Sequence, residues 1–338
     1  MKAAFFGLEK WEEEYVKENI TARPEMEVLF FPQKLDKDHL PPRTDFEIIS
    51  VFVGSSLDKE TLEKFPALKF ITTRSTGFDH IDLEYCRVRK IIVANVPSYG
   101  ENTVAEYTFG LILSLSRKIY EGVDRIRETG KFSSEGLKGF DLRGKTLGVL
   151  GTGKIGCHVI RIAGGFEMKI IAFDPFPKNE LVEKLGFEYK NTMEEVLTAA
   201  DILTIHVPYM KETHHLLNER AFSLMKKEAY LINTSRGGVV ETSALVKALL
   251  EKKLGGAGLD VLEEEGVIKD ELDFLVFGHP EEHNLKTVLA NHVLMDMPNV
   301  LITPHNAFNT AEALQRILDT TMENVESFLQ GQPQNTVK

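Results

Sequence analysis

Short apolar runs alternate with longer polar and amphipathic segments along most of the chain. The first series of such runs lies at 3–6, 28–31, 48–53, 69–73 and 91–96. Their length and their β-branched and aromatic content are typical of strands, whereas intervening segments such as 11–20 and 57–65 have the character of helices. Strands separated by helix-length segments predict a parallel sheet that is covered on both faces.

A turn at 97–100 (PSYG) precedes a long segment, 101–128, that is predicted to form one helix. Its middle part is apolar on nearly every face. A helix of this kind is buried, either in a large core or against a second subunit. The segment is therefore a candidate subunit interface.

Apolar runs resume after this helix, at 146–150, 169–173, 202–206, 230–233, 256–260 and 300–303. Helical segments lie between them, and a last amphipathic helix is predicted over 310–329, where Gly331 and Pro333 follow it. The pattern predicts a second parallel α/β domain, with a domain boundary near residue 99. If the last helix packs against the first domain, that domain is discontinuous.

Composition narrows the class of protein. The 338 residues carry a net charge of −11 and contain two cysteines, Cys86 and Cys157. No apolar stretch is long enough to span a bilayer, no export signal is evident, and no basic run suits nucleic acid or an anionic membrane. We therefore expect a cytoplasmic protein without a membrane or nucleic-acid partner. An anionic small substrate stays possible, because one arginine can bind a carboxylate.

A glycine-rich loop opens the second series and has the G-x-G-x-x-G spacing of dinucleotide-binding sites. It follows a strand and precedes a helix, which is the context that lets backbone and helix N-terminus approach a pyrophosphate. The candidate cofactor contacts in the loop are Gly151, Gly153, Lys154, Ile155 and Gly156. Lys154 either aids phosphate binding or is a surface lysine. Asp174, at the end of the next strand, accepts hydrogen bonds from a ribose diol and repels a 2′-phosphate, so NAD is predicted rather than NADP.

Candidate ligand-binding residues, most of them polar, follow each later strand of the second series. They are His206, Val207 and Pro208, then Thr234, Ser235 and Arg236, then Asp260, and finally His305. In a parallel sheet these positions share one edge, where ligands bind. The guanidinium of Arg236 can hold a carboxylate in a bidentate manner and polarise an adjacent carbonyl.

His305 is the candidate acid/base of this edge, because histidine exchanges a proton near neutral pH. A neighbouring carboxylate would fix its tautomer, and the run Glu263, Glu264 and Glu265 could supply one. Three acidic residues in a row usually form a solvated loop, so the residues alone do not choose among them.

Several motifs, spread over nearly the whole chain, resemble those of one family and occur in the same order. They are RSTGFDHIDL, NVPSYGENTVAE, GVLGTGKIG, HVPYMKETHHLLN, LINTSRGG, GLDVLEEE and ITPHNAF. Together they resemble the NAD-dependent D-isomer-specific 2-hydroxyacid dehydrogenases, and within them the branch of the D-lactate dehydrogenases.

The resemblance implies a fold and a partner. The fold would have a discontinuous substrate domain at 1–99 and 304–338, a Rossmann NAD-binding domain at 100–303, and a cleft between them. A homodimer would pack through the helix after residue 100. The activity implied is hydride transfer between NAD(H) and a small D-2-hydroxy acid or 2-oxo acid, D-lactate and pyruvate above all.

The resemblance also implies roles for residues. Arg236 matches the arginine that binds the substrate carboxylate, His305 the catalytic histidine, and Glu265 its paired acid. The matched substrate contacts are the backbone at Thr76 and Gly77 and the side chains of Tyr99, Phe52 and Phe308. The matched cofactor contacts are Val207, Pro208, Thr213, Thr234 and Asp260.

Four features of the sequence qualify this interpretation. A glyoxylate or hydroxypyruvate reductase, or a dehydrogenase of bulkier acids, fits the same motifs, and an NAD(H)-sensing corepressor-like scaffold keeps this fold with similar residues. Gly266 replaces the proline common after the family's glutamate, and the segment 266–298 bears on substrate size. His279, Glu282 and His283 formally match the H-x-x-E-H zinc motif, but we expect a surface loop and no metal. His214 and His215 are expected to be a solvated pair at a helix start.

Overall fold

The computed structural model describes residues 1–20, 26–269 and 283–337. The chain divides into two compact units, one formed by Met1–Gly100 with Asn309–Lys338 and the other by Glu101–Phe308. No helix in the described part of the chain is both long and apolar enough to cross a membrane.

The first unit contains a five-stranded parallel sheet of order β2-β1-β3-β4-β5. Its strands are β1 (Lys2–Phe6), β2 (Glu27–Phe31), β3 (Ile48–Val51), β4 (Phe70–Thr73) and β5 (Ile92–Ala94). Its helices are α1 (Lys10–Ile20), α2 (Lys59–Glu63), α3 (Leu83–Arg89) and the last helix of the chain, α13 (Ala311–Leu329). The ring of Phe328 on α13 stacks on that of Phe70 on β4 at 4.4 Å, so the last helix belongs to the core of this unit.

The second unit contains a seven-stranded parallel sheet of order β12-β11-β10-β9-β6-β7-β8. Its strands are β6 (Thr146–Leu150), β7 (Lys169–Phe173), β8 (Glu188–Tyr189), β9 (Ile202–Ile205), β10 (Ala229–Asn233), β11 (Leu254–Leu259) and β12 (Val300–Ile302). Its earlier helices are α4 (Glu101–Ser116), α5 (Ile119–Thr129), α6 (Lys154–Gly165), α7 (Asn179–Leu185) and α8 (Met193–Ala199). Its later helices are α9 (Glu219–Leu224), α10 (Thr242–Leu250), α11 (Glu265–Lys269) and α12 (Leu285–Met295).

Both faces of the second sheet are buried. Along β9, Leu203 and Ile205 join one apolar cluster and Ile202 joins another; along β10, Leu231 and Ile232 divide in the same way. Successive strand residues point to opposite faces, so the two clusters lie on opposite sides of the sheet. The predicted fold class, two parallel α/β sheets with the second of Rossmann type, is confirmed.

The long helix predicted over 101–128 is two helices, which is a correction. Lys118 takes a left-handed conformation with φ of 51°, and α5 begins directly after it. The carbonyl of Ser116 accepts a hydrogen bond from the N–H of Phe140 at 2.9 Å. A Cβ on Gly139 would lie 2.0 Å from that same carbonyl oxygen, so a close backbone contact ends α4 where apolar periodicity alone predicts continuation.

The second unit ends at Phe308, not at the predicted residue 303. The carboxylate of Asp260 accepts hydrogen bonds from the backbone N–H groups of Asn306 at 2.9 Å and Ala307 at 2.8 Å. These bonds tie the turn that carries His305 to the second sheet.

Candidate active site

The carboxyl ends of six strands of the second sheet line up in one row. The register pairs Phe173 with Leu150, Leu150 with Ile205, Ile205 with Asn233, Asn233 with Leu259, and Leu259 with Ile302. The next residues along these strands are Asp174, Gly151, His206, Thr234, Asp260 and Thr303. The strand order continues from β6 through β7 to β8 on one side, and from β9 through β10 and β11 to β12 on the other. Parallel sheets bind ligands at such a reversal of the strand order.

The glycine loop after β6 is shaped for close backbone approach. Gly151 has φ of 93°, and a Cβ there would lie 2.6 Å from the carbonyl oxygen of His206. A Cβ on Gly156 would lie 2.1 Å from the carbonyl oxygen of Gly151, whereas one on Gly153 would meet nothing within 4 Å. The loop is thus packed on its inner side and open at Gly153, which caps the N-terminus of the twelve-residue α6. This arrangement fits a dinucleotide pyrophosphate.

Hydrogen bonds from the glycine loop fix the side chain of Asp174. Its Oδ2 accepts hydrogen bonds from the N–H and hydroxyl of Thr152 at 2.7 and 2.9 Å, and its Oδ1 accepts one from the N–H of Phe176 at 2.9 Å. The hydroxyl of Thr152 also lies 2.7 Å from that of Tyr189. A carboxylate oxygen has two acceptor directions, so Oδ1 keeps one for a ribose hydroxyl.

Lys154 and Ile155 begin α6 behind the loop. The ammonium of Lys154 pairs with Glu101 at 3.2 Å and its side chain is 63% exposed, while Ile155 packs against the apolar cluster that contains Ile202 and Ile232. Whether either contacts the cofactor stays a prediction.

The segment after β9 forms a closed loop. Burial lowers the pKa of His206 to about 3, and its Nε2 lies 2.9 Å from the hydroxyl of Thr204, so the ring is neutral. Further along, the hydroxyl of Thr213 donates to the carbonyl of Pro208 at 2.7 Å and accepts from the N–H of Met210 at 2.8 Å. A Cβ on Gly151 would lie 3.1 Å from Val207, so this loop borders the glycine loop.

Arg236 is carried by a tight turn after β10. The side chain of Asn233 accepts from the N–H and hydroxyl of Ser235 and donates to the carbonyl of Arg236 at 3.0 Å. Thr234 is 8% exposed, and its hydroxyl lies 3.0 Å from that of Thr108. The turn is therefore rigid, and Arg236 projects from it with its Nη1 on the carbonyl of Ser235 at 2.9 Å.

Asp260 holds the turn that presents His305. Its side chain is buried and accepts hydrogen bonds from the hydroxyl of Thr303 at 2.6 Å and from two backbone N–H groups of the turn. Burial raises the pKa of this carboxyl despite those bonds. His305 has a left-handed backbone with φ of 52°, and its N–H donates to the carbonyls of Asp260 at 2.8 Å and Thr303 at 2.9 Å. Such strain persists only where contacts enforce it and is common at functional sites.

The structure brings Glu265 and His305 together. Oε1 of Glu265 lies 2.8 Å from Nδ1 of His305. Burial of Glu265 opposes its ionisation, but the hydrogen bond from His305, the charge of His305 and the nearby Arg236 keep the pKa of this carboxyl below its usual range. The pair thus combines an ionised acid with an imidazole ring that is held at Nδ1. The ring of Phe308 lies 6.4 Å from that of His305.

The candidate substrate contacts of the first unit lie at turns after its strands. The hydroxyl of Thr76 donates to the carbonyl of Val96 at 2.8 Å, and that of Ser75 donates to the carbonyl of Gly77 at 2.6 Å. The carbonyl of Tyr99 accepts from Nε of Arg316 at 2.5 Å. The ring of Phe52 lies under the buried guanidinium of Arg74, 5.9 Å from its centroid. Their contacts with substrate stay a prediction.

His214 and His215 lie in a turn before α9 and not at a helix start; His214 is exposed, as predicted, whereas His215 is half-buried. Their rings stack at 3.8 Å, Nδ1 of His214 lies 3.1 Å from the hydroxyl of Tyr209, and Nε2 of His215 lies 2.7 Å from Oε1 of Glu263. Glu263 lies 48 residues from His215 in the chain, and the composition of the glutamate run does not indicate which partner each of its members binds.

The zinc motif falls partly outside the described residues, which include His283 but not His279 or Glu282. Among the residues that are described, no group of three His, Cys, Asp or Glu side chains is arranged to hold a metal ion.

Comparison with known proteins agrees with this geometry. Residues 109–307 match the family described as D-isomer specific 2-hydroxyacid dehydrogenase, NAD binding domain. A 2-hydroxyacid dehydrogenase homolog of Haemophilus influenzae is 38% identical, over 98% of this chain and 97% of its own. A glyoxylate reductase of Thermococcus litoralis is 36% identical over 91% of each chain.

A solved structure is similar over nearly the whole length of the chain. The D-lactate dehydrogenase of Aquifex aeolicus, complexed with NAD and lactic acid, superposes with a TM-score of 0.86 at 36% identity and covers 98% of this chain and 96% of that one. These relatives indicate the same family as the site does, with its glycine loop that fits a dinucleotide and its pair of Glu265 and His305. The chain belongs to the NAD-dependent D-isomer-specific 2-hydroxyacid dehydrogenases.

Proposed function

We propose that this enzyme interconverts D-lactate and pyruvate. The observation that carries the proposal is the Glu265–His305 pair at 2.8 Å, with the charge of Arg236 acting on the same carboxylate. A small 2-oxo acid offers a carboxylate for the guanidinium and a carbonyl oxygen for the ring. The relative of similar fold that is complexed with lactic acid supports a small substrate of this kind.

The proposed roles follow from the groups available. NAD supplies the hydride chemistry when it is bound, held by the loop at Gly151–Gly156 and by Asp174. Arg236 binds the substrate carboxylate and polarises the carbonyl. Protonated His305 donates from Nε2 to the carbonyl oxygen as C2 is reduced, and Glu265 holds Nδ1 so that the ring keeps this orientation. In the oxidative direction His305 accepts the hydroxyl proton.

We also propose roles for the remaining predicted substrate contacts. The backbone at Thr76 and Gly77 is proposed to bind the substrate carboxylate, and Tyr99, Phe52 and Phe308 to contact the substrate side chain. Glyoxylate or hydroxypyruvate is the second candidate substrate, which the glyoxylate reductase among the relatives favours.

Substrate preference is tested by NADH oxidation with pyruvate, glyoxylate, hydroxypyruvate and phenylpyruvate under identical conditions. We expect the highest kcat/KM with pyruvate, and D-lactate as the product by chiral chromatography, because Arg236 and His305 would fix the carboxylate and the carbonyl oxygen so that only one face of C2 accepts the hydride. A higher kcat/KM with glyoxylate would assign the second candidate. An L product would contradict the mechanism, and no oxidation with any acid would favour the NAD(H)-sensing scaffold.

We further propose that the enzyme is a homodimer that packs through α4 and α5. No side chain of α5 is buried, and one face of it exposes Ile119, Tyr120, Val123 and Ile126 by 42–56%. A contiguous apolar surface on a helix is typical of a protein interface. A second copy of the chain is the proposed occupant, as the family resemblance implies.

Val123→Asp is expected to convert the dimer to a monomer, because it places an unpaired charge in the proposed apolar contact. Sedimentation-velocity ultracentrifugation at several protein concentrations measures the change. Val88→Asp is the matched control, since Val88 is 75% exposed on α3 of the other unit. A wild-type monomer, or a Val123→Asp variant that remains dimeric, would contradict this interface.

A further inference from the structure

Each glutamate of the run after β11 binds a different histidine. Oε1 of Glu263 lies 2.7 Å from Nε2 of His215, Oε2 of Glu264 lies 2.7 Å from Nδ1 of His283, and Oε1 of Glu265 lies 2.8 Å from Nδ1 of His305. We name the segment Glu263–Glu265 the glutamate junction. The third pair is the proposed proton-transfer pair, and the other two pairs involve the two residues directly before its carboxylate in the chain.

Glu263 attaches the junction to the core of the second unit. Its Oε2 accepts hydrogen bonds from the N–H of Thr242 at 2.8 Å and from the hydroxyl of Thr242 at 2.6 Å. Thr242 is the first residue of α10, and a carboxylate is stabilised at a helix N-terminus. One side of the junction is therefore fixed.

Glu264 attaches the junction to α12, on the far side of the segment 266–282. Besides His283, it accepts a hydrogen bond at Oε1 from the N–H of Asn284 at 3.1 Å. Asn284 is the N-cap of α12, and its side chain accepts from the N–H of Thr287 at 3.3 Å. From the next turns of α12, the fully buried Asn291 donates to the carbonyl of Glu263 at 2.7 Å. The helix and its cap thus hold the junction at two successive residues.

The backbone of Glu264 depends on these contacts. Its φ is 54°, in the left-handed region that a residue with a Cβ rarely adopts. Such a conformation persists only where the surroundings enforce it. Glu265 follows directly as the first residue of α11, so a change of the Glu264 backbone redirects the carboxylate that faces His305.

We propose that α12 and its cap position the proton-transfer pair. His283 and Asn284 hold Glu264 in its left-handed conformation, Asn291 holds Glu263, and together they keep Glu265 in hydrogen-bond contact with His305. His283 is a positioning residue, since it acts through Glu264 and Glu265. The proposal rests on the proposed function, because it assigns a role relative to the acid/base assigned there.

His283→Ala is expected to lower kcat for pyruvate reduction by about tenfold, the scale of a lost hydrogen bond to a charged group. NADH affinity, measured by fluorescence titration, should stay at the wild-type value. The acidic limit of the kcat/KM profile for reduction should shift to higher pH, because Glu265 loses the hydrogen bond from His305 that keeps the pKa of this carboxyl below its usual range. The other charged groups near this pair, Asp260 and Arg236, are unchanged in the variant, so the shift reports on Glu265.

Two matched variants separate positioning from general stability. His283→Asn should restore activity and the pH profile, because the Asn amide nitrogen stands close to the position of Nδ1 and can donate to Glu264. His292→Ala removes an exposed histidine from the same helix and should behave as wild type. Loss of activity in His283→Asn equal to that in His283→Ala would overturn the proposal.

A double-mutant cycle tests whether the effect passes through Glu265. In a Glu265→Gln background, His283→Ala should cause no further loss of kcat, since the carboxylate it positions is already gone. The same fold-loss in both backgrounds would overturn the proposal. If His283→Ala matches wild type while His305→Gln is inactive, positioning by α12 fails and the proposed function stands. If His305→Gln itself is fully active, the proposed function fails.

Discussion

Replacing His305 by glutamine is expected to lower kcat for pyruvate reduction by about 10²–10⁴-fold, the usual contribution of a positioned general acid. Glutamine keeps polar contact with Glu265 but has no proton to give near neutral pH. Nδ1 of His305 contacts Glu265 at 2.8 Å, so Nε2 is the ring nitrogen that we propose as the proton donor. The glutamine side chain has no group that can replace it. Steady-state kinetics with pyruvate, together with NADH fluorescence titration, separate the loss of chemistry from a loss of cofactor binding.

The control for this variant is His292→Gln, the same substitution at an exposed position of α12. It should keep the kcat, the NADH affinity and the melting temperature of the wild type. The assignment of His305 as the proton donor would be wrong if His305→Gln, folded and binding NADH normally, reduced pyruvate at the wild-type rate.

The sheet edge could be predicted from the sequence because its signal is local. The strands that border the site, β6, β7 and β9 to β12, are short apolar runs, and parallel strands in a doubly covered sheet must all end at the same side. Asp174, His206, Asp260 and the residues after β12 therefore fall on one row without any knowledge of tertiary contacts. The glycine spacing adds the loop, since only glycine fits where a Cβ at Gly156 would lie 2.1 Å from a carbonyl oxygen.

The partners of the glutamate junction could not be predicted in this way. His215, His283 and His305 lie 48, 19 and 40 residues from the glutamates that bind them. No periodic pattern spans such separations, and three adjacent acidic residues are equivalent in composition. Only the family resemblance selected Glu265, and nothing in the sequence indicated that Glu263 and Glu264 are equally engaged. The break between α4 and α5 was missed for the same reason, since Gly139 and Phe140 cause it from outside the helix.

Gly237→Ala is expected to lower kcat/KM for pyruvate by about 10²-fold, the scale of an ångström-sized displacement of a reacting group. A Cβ at this position would lie 2.0 Å from the carbonyl carbon of Leu262, 2.1 Å from its oxygen and 2.4 Å from the nitrogen of Glu263. All three are backbone atoms and cannot turn aside as a flexible side chain would, so the segment after β11 that carries Glu263 must move away from the turn that carries Arg236. The close contact of Gly237 with Leu262, which places Arg236 beside the glutamate junction, is thereby lost.

Gly266→Ala is the matched control for this variant. Gly266 follows Glu265 directly, and a Cβ there would meet nothing within 4 Å, so adding a methyl group next to the acid should leave kcat/KM unchanged. Kinetics and thermal unfolding of both variants distinguish the cases. We expect Gly237→Ala to lose activity and to melt at a lower temperature, since a forced overlap in a packed region costs about 1–3 kcal/mol. Wild-type kinetics in both alanine variants would contradict this prediction. The close packing of Gly237 against Leu262 would then not be the contact that positions Arg236 and Glu265 around one substrate carbonyl.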